Sequence, residues 1–138
     1  MISKKQYPSE SRFLLADDVR EEVNKKVSIV GAFTGDEIQV LGIKPEKLEP
    51  GHAFPLALLA VFKGGEGTFD IQLAMITPSN KETKFDQTMK LEMKSGSPAN
   101  VILKFPLFPV SEFGEYQFVL SFDGGKKTYT YPFTIKTG

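Results

Sequence analysis

Residues 13–33 read FLLADDVREEVNKKVSIVGAF: an apolar run, a dense charged segment, then a second apolar run ending in Gly31-Ala32-Phe33. Phe13 to Ala16 suggests a strand buried on both faces. Residues 17–26 fit two local structures. As a short helix, Asp18 and Glu21 have capping-box spacing, Val19, Val23 and Val27 recur every four, and Glu21–Lys25 and Glu22–Lys26 are favourable pairs. As a hairpin, the same residues extend the strand and turn about Asn24-Lys25. So short a helix with valines inside it is marginal without tertiary support, which favours the hairpin. Lys26 to Phe33 is then a second strand, with Val27, Ile29 and Phe33 on one face and Val30 and Ala32 on the other. Gly31 within it implies a bulge or the close approach of another backbone.

Outward from this stretch the same alternation recurs. Glu37–Gly42 (EIQVLG) allows a short strand, and IKPEKLEPG after it, with Pro45, Pro50 and Gly51, is loop. Ala53 to Phe62 is apolar on both faces and fits a central strand, covered by its own chain or by a partner. Phe69, Ile71, Leu73 and Met75 alternate with polar residues, as do Phe85, Met89, Leu91 and Met93. Val101, Leu103 and Phe105 continue the pattern until Pro106 and Pro109 stop it. Tyr116, Phe118, Leu120 and Phe122 lead through Asp123-Gly124-Gly125, a strong hairpin signal, to Tyr129, Tyr131, Phe133 and Ile135. Seven to nine short strands with turns between them predict an all-β fold, an antiparallel β-sandwich of immunoglobulin-like type. Residues 1–10, polar and carrying Pro8, form a flexible lead-in, and 11–138 form one domain.

Composition agrees. The 138 residues include twelve Phe, four Tyr and no Trp, a balance that favours strands. Seventeen basic residues match seventeen acidic ones, so no global field draws the chain to nucleic acid or an anionic membrane. Only Arg12 and Arg20 supply the guanidinium fork that suits phosphates and base edges. Without cysteine there is no disulfide, thiol nucleophile or thiolate zinc site. No window approaches the ~20 apolar residues of a membrane span, and MISKKQYPSESR lacks the apolar core of a signal peptide, so the chain reads as cytoplasmic.

Few residues invite chemistry. Asp17, Asp18, Glu21 and Glu22 could supply oxygens to a divalent cation or act hydrolytically. Arg20, Lys25 and Lys26 lie close enough to neutralise them, so these charges read first as a solvated ion-pair face. Alternatively Arg20 is partly buried and held by Asp17 or Asp18, ordering the loop without performing chemistry. His52 is the chain's only histidine, and no relay partner lies near it in sequence. The glycines of KGGEGTF and FDGGKK are turns, since neither leads into a helix that could hold an anion. Phe105, Leu107, Phe108, Val110 and Phe113, broken by prolines, need cover and are the best candidate interaction surface, unless they plug one end of their own sandwich. A carbohydrate platform would have to use Tyr7, Tyr129 or Tyr131. No cofactor is implied.

Two resemblances follow from these residues. GEYQFVLSFDGG resembles the penultimate strand and hairpin of immunoglobulin-like domains, which would let the Tyr116 hydroxyl tie down the preceding loop. Leu14-Leu15-Ala16-Asp17-Asp18-Val19-Arg20, followed by Lys26 to Phe33, resembles the N-terminal signature of a family of small bacterial domains of unknown function. In that family a hydrophobic-Asp-Asp-Val-Arg run precedes a short acidic turn, Gly-Lys, and a strand ending near Gly-aromatic; here Lys25 stands where glycine is common. The resemblance implies a compact all-β domain and brings no activity with it. The expected function is a non-enzymatic protein-binding or structural module, contacting itself or another protein. A carboxylate-based cation-binding or hydrolytic site is the alternative.

Overall fold

A computed structural model describes residues 5–23, 26–40, 53–110 and 112–137, without the side chains of 86 and 87. The described strands are β1 (Glu10–Glu21), β2 (Val27–Phe33), β3 (Glu37–Val40), β4 (Ala53–Lys63), β5 (Gly67–Ile76), β6 (Glu82–Met93), β7 (Ala99–Pro109), β8 (Gly114–Phe122) and β9 (Lys127–Thr137). They form a four-stranded sheet ordered β2-β1-β4-β7 and a five-stranded sheet ordered β3-β9-β8-β5-β6. The expected all-β sandwich is therefore present. Every pairing is antiparallel except β3 on β9, which is parallel and corrects the purely antiparallel expectation.

The alternating residues build the core between the sheets. Phe69, Ile71, Leu73 and Met75 of β5, and Tyr116, Phe118, Leu120 and Phe122 of β8, are all buried. Rings from the opposite sheet meet them: Phe62 of β4 lies 5.2 Å from Phe122, and Phe105 of β7 stacks 5.7 Å from Phe118. Rings at such separations gain from their edge and face electrostatics in addition to the area they bury. The Tyr116 hydroxyl donates to the Glu112 carbonyl at 2.6 Å, tying the loop before β8 as its position suggested.

Two boundaries depart from expectation. Pro106 does not stop β7, which runs on and ends at Pro109. As an edge strand, β7 has a side with no ladder partner among the described residues, where a missing N–H costs no ladder bond. The ladder with β4 also shifts between Phe54↔Phe108 and Leu56↔Phe105, so Pro55 and Pro106 fall in a bulge. The lead-in expected to be flexible is held from Lys5 onward. Gln6 and Glu66 exchange backbone hydrogen bonds, Pro8 is buried, and the Tyr129 hydroxyl donates to the Pro8 carbonyl at 2.6 Å.

β1 is longer than the strand expected from its apolar run, because the acidic segment continues it. It is strand through Glu21, and the Glu22 N–H donates to the Lys26 carbonyl; Asn24 and Lys25, where the turn was expected, lie outside the described residues. Phe13 and Leu15 face the sandwich interior, with Phe13 stacked 5.3 Å from Tyr131. Val19 should follow them by alternation, yet it joins Ala16, Ala57 and Leu59 in a second cluster on the outer face. The change occurs at Asp17. Pairing with β4 ends at Ala16↔Ala57, the β2 ladder has no Asp17↔Gly31 pair, and Gly31 has φ +66°. The far half of the β1–β2 hairpin thus turns over and covers the outside of β4, which explains how Ala53 to Phe62 can be apolar on both faces.

Candidate functional site

The charged residues of this hairpin do not converge. Among the described residues no three of its carboxylates lie close enough together to hold a metal ion. Asp18 accepts from Arg20 Nε at 2.9 Å and lies 3.4 Å from Lys104 Nζ of β7. The Arg20 hydrogen bond, then Lys104, holds the Asp18 carboxyl below its usual range, and Asp18 in turn raises Arg20. Arg20 itself is 66% exposed, so its contact is a surface pair, in keeping with the solvated ion-pair face and not with the alternative of a partly buried fork. Glu21 and Glu22 are exposed. Asp17 has no hydrogen-bond or ion-pair partner among the described residues. It stands over Gly31, so closely that a Cβ built there would fall 2.8 Å from the Asp17 Cγ.

Where the hairpin turns away from β4 it leaves two hollows. One, of about 350 Å³, is lined by Asp17, Phe33, Ile38, Val40, Phe54 and Pro55; the other, of about 270 Å³, by Asp17, Asp18, Lys104, Phe105 and both bulge prolines. Asp18 and Lys104 already satisfy each other in the second. No group of three or more His, Asp or Glu that could hold a metal ion occurs among the described residues. His52 lies outside them. A third hollow, of about 240 Å³ on the outer face of β5 and β8, holds Gln72, Ser121, Glu82 and Lys84 without a histidine or a pair of acids.

At the opposite end of the sandwich the charges do converge. Asp123 accepts from the Asp70 N–H at 3.0 Å, Lys5 at 2.9 Å and the Tyr7 hydroxyl at 2.9 Å. The backbone donor first, then Lys5, pulls its carboxyl down to about 2. Lys5 also sits 5.2 Å over the Phe69 ring. Every group here is matched, so this cluster anchors the N-terminal segment. Burial and a hydrogen bond to Asp36 push the Tyr131 hydroxyl well above its usual range, and burial raises Tyr129 to about 12. Both tyrosines lie inside the core, and neither can form an exposed carbohydrate platform.

The candidate interaction surface divides. Phe108 and Val110 are buried in the core, Phe105 and Phe113 pack against it, and only Leu107, 73% exposed, faces outward. The larger apolar exposure is on β2, where every residue from Ser28 to Ala32 is exposed, including Ile29 at 41% and Val30 at 49%. Sequence reading assigned these residues to a strand but not to an edge. Seven consecutive uncharged residues, VSIVGAF, suit a buried strand as well as an adhesive edge, so the run alone does not mark the edge.

Residues 11–136 match the model of a family of unknown function, DUF6941. The chain belongs to that family. This DUF6941 chain has no match among curated proteins. Among solved structures it is similar to a β-glucosidase from Listeria innocua, with 13% identity, a TM-score of 0.41, and coverage of 91% of this chain and 16% of that one. The same enzyme in complex with glucose matches with a TM-score of 0.40 and 13% identity over the same shares. The DUF6941 chain therefore spans under a fifth of those enzymes. No helix long and apolar enough to cross a membrane occurs among the described residues.

Proposed function

We propose that this is a non-enzymatic protein-binding module whose docking element is the free edge of β2. The observation that carries the reading is five consecutive exposed residues, Ser28 to Ala32, on the outer strand of a sheet, with no charge from Val27 to Phe33. A strand with unpaired N–H and C=O groups and apolar side chains takes up another strand by main-chain hydrogen bonding. The two ion pairs of Asp18 favour binding over cation chemistry at Asp17, Asp18, Glu21 and Glu22. A bacterial, cytoplasmic setting belongs to the same reading, supported for the first part by the resemblance of residues 14–33 to small bacterial domains; cell fractionation tests the second.

Photo-crosslinking tests the docking element. A photoreactive phenylalanine analogue is placed at Val30 or, as control, at Leu107, and irradiated in living cells. A discrete adduct from position 30 and none from position 107 is expected. No adduct from position 30 would overturn the reading.

A further inference from the structure

The four sheet edges are not equally open. β6 carries Glu82, Lys84, Lys90 and Glu92; β7 carries Lys104, Pro106 and Pro109; β3 is four residues long. Charge, proline and shortness are the devices by which edges resist pairing. Only β2 lacks all three, its one irregularity being the positive φ at Gly31.

Resting on the reading of β2 as the docking element, we infer that its partner is a second copy of this chain, with β2 lying antiparallel to β2 about a two-fold axis at Val30. An isologous contact requires the strand to be complementary to itself. Around Val30, Val27 falls opposite Phe33, Ser28 opposite Ala32, and Ile29 opposite Gly31. Val27 and Phe33 pack within their own chain, against the outer and the inner cluster respectively, so the contact rests on the central positions 28 to 32. The last pair sets the bulk of Ile29 over the one position with no side chain, so the kinked glycine is covered. No like charges oppose, because the strand has none. The charges at its ends have opposite signs: Lys26 precedes β2 and Asp36 closes the turn after it. The antiparallel arrangement brings the Lys26 end of one strand beside the Asp36 end of the other, so unlike charges meet there. The axis makes this attraction twice. A formal net charge of zero leaves no general repulsion between copies. The two hairpins would join by main-chain hydrogen bonds.

Light scattering across a concentration series is expected to show the mass doubling from 15.3 kDa. Val30→Lys sets two ammonium groups against each other at the axis and is expected to weaken association at least tenfold, while Leu107→Lys leaves it unchanged; circular dichroism confirms that both variants fold. Because the chain has no cysteine, the thiol of Val30→Cys, once joined to glutathione, can exchange with no other protein thiol than that of its symmetry mate, releasing reduced glutathione. Opposed Cα atoms in an antiparallel pair are about 4.5–5.5 Å apart, within disulfide reach. Under oxidised glutathione, Val30→Cys is expected to form covalent dimers and Leu107→Cys to remain single. A mass of 15.3 kDa at all concentrations, or a dimer linked through position 107 and not 30, would overturn self-pairing. If position 30 then still photo-crosslinks to a protein of another mass, β2 remains the docking element with a different partner; if it crosslinks to nothing, both readings fall.

Discussion

The two outer strands of the four-stranded sheet, β2 and β7, are similarly apolar in sequence and end in opposite situations. β7 turns Val101, Leu103 and Phe108 into the core, and its prolines fall where no ladder bond is needed. β2 pairs with β1 along one side only, and past Gly31 the hairpin departs from the sheet, so Ser28 to Ala32 are covered by nothing among the described residues. Apolar content therefore does not by itself mark a contact surface. What matters is whether the strand's own alternation finds a second layer, and on β7 it does.

The strongest test of that contrast is on β7. Phe108→Ala empties a fully buried site that touches Phe54, Phe118 and Phe133, and is expected to cost about 3–5 kcal/mol in denaturant unfolding. Leu107→Ala, one residue away, is expected to stay within about 0.5 kcal/mol of the parent. Similar losses from the two would mean that β7 does not alternate as described.

The next effect concerns the kink that frees β2. Gly31→Ala places a side chain at φ +66° and against the Asp17 carboxylate, and is expected to cost about 1–3 kcal/mol. Adding Asp17→Ala removes the collision but not the backbone strain, so partial recovery is expected. Full stability of the single variant would remove the reason for the hairpin's departure from the sheet.

The smallest effect comes from the other end, where Asp123 ties Lys5 and Tyr7 to the β8–β9 turn. Its carboxyl titrates near 2 when folded, against an ordinary 3.8, so folding depresses it. A depressed carboxylate stabilises above its ordinary pKa and loses that contribution as pH falls through the folded value. Asp123→Asn is expected to cost on the order of 1 kcal/mol at neutral pH, after allowance for solvent screening. The gap from the parent should close between about pH 4 and pH 2, measured by thermal unfolding. An effect on association of β2 would link two ends that here are separate.

Strands whose faces differ were legible residue by residue: Phe69, Ile71, Leu73 and Met75 alternate in sequence and are buried in the structure, and the Tyr116 tie followed from Gly-x-Tyr-x-Phe. Local sequence also favoured the hairpin over the helix at residues 17–26. The remaining features depend on which strand lies beside which. Pro106 looks like a terminator until β7 is known to be an edge, and the mate of Tyr7 is 116 positions away. The same holds for the candidate site. VSIVGAF reads as a core strand because nothing within it says that only one neighbour is present, and DDVRE reads as a cluster until Asp18 is known to lie beside Lys104 of β7.

Amide hydrogen exchange at rising protein concentration measures the contrast between the edges directly. Protection is expected to increase across Val27–Phe33 and to stay constant across Ala99–Pro109. Unchanged exchange in β2, or new protection confined to β7, would contradict the assignment of β2 as the edge through which this DUF6941 chain binds its own copy.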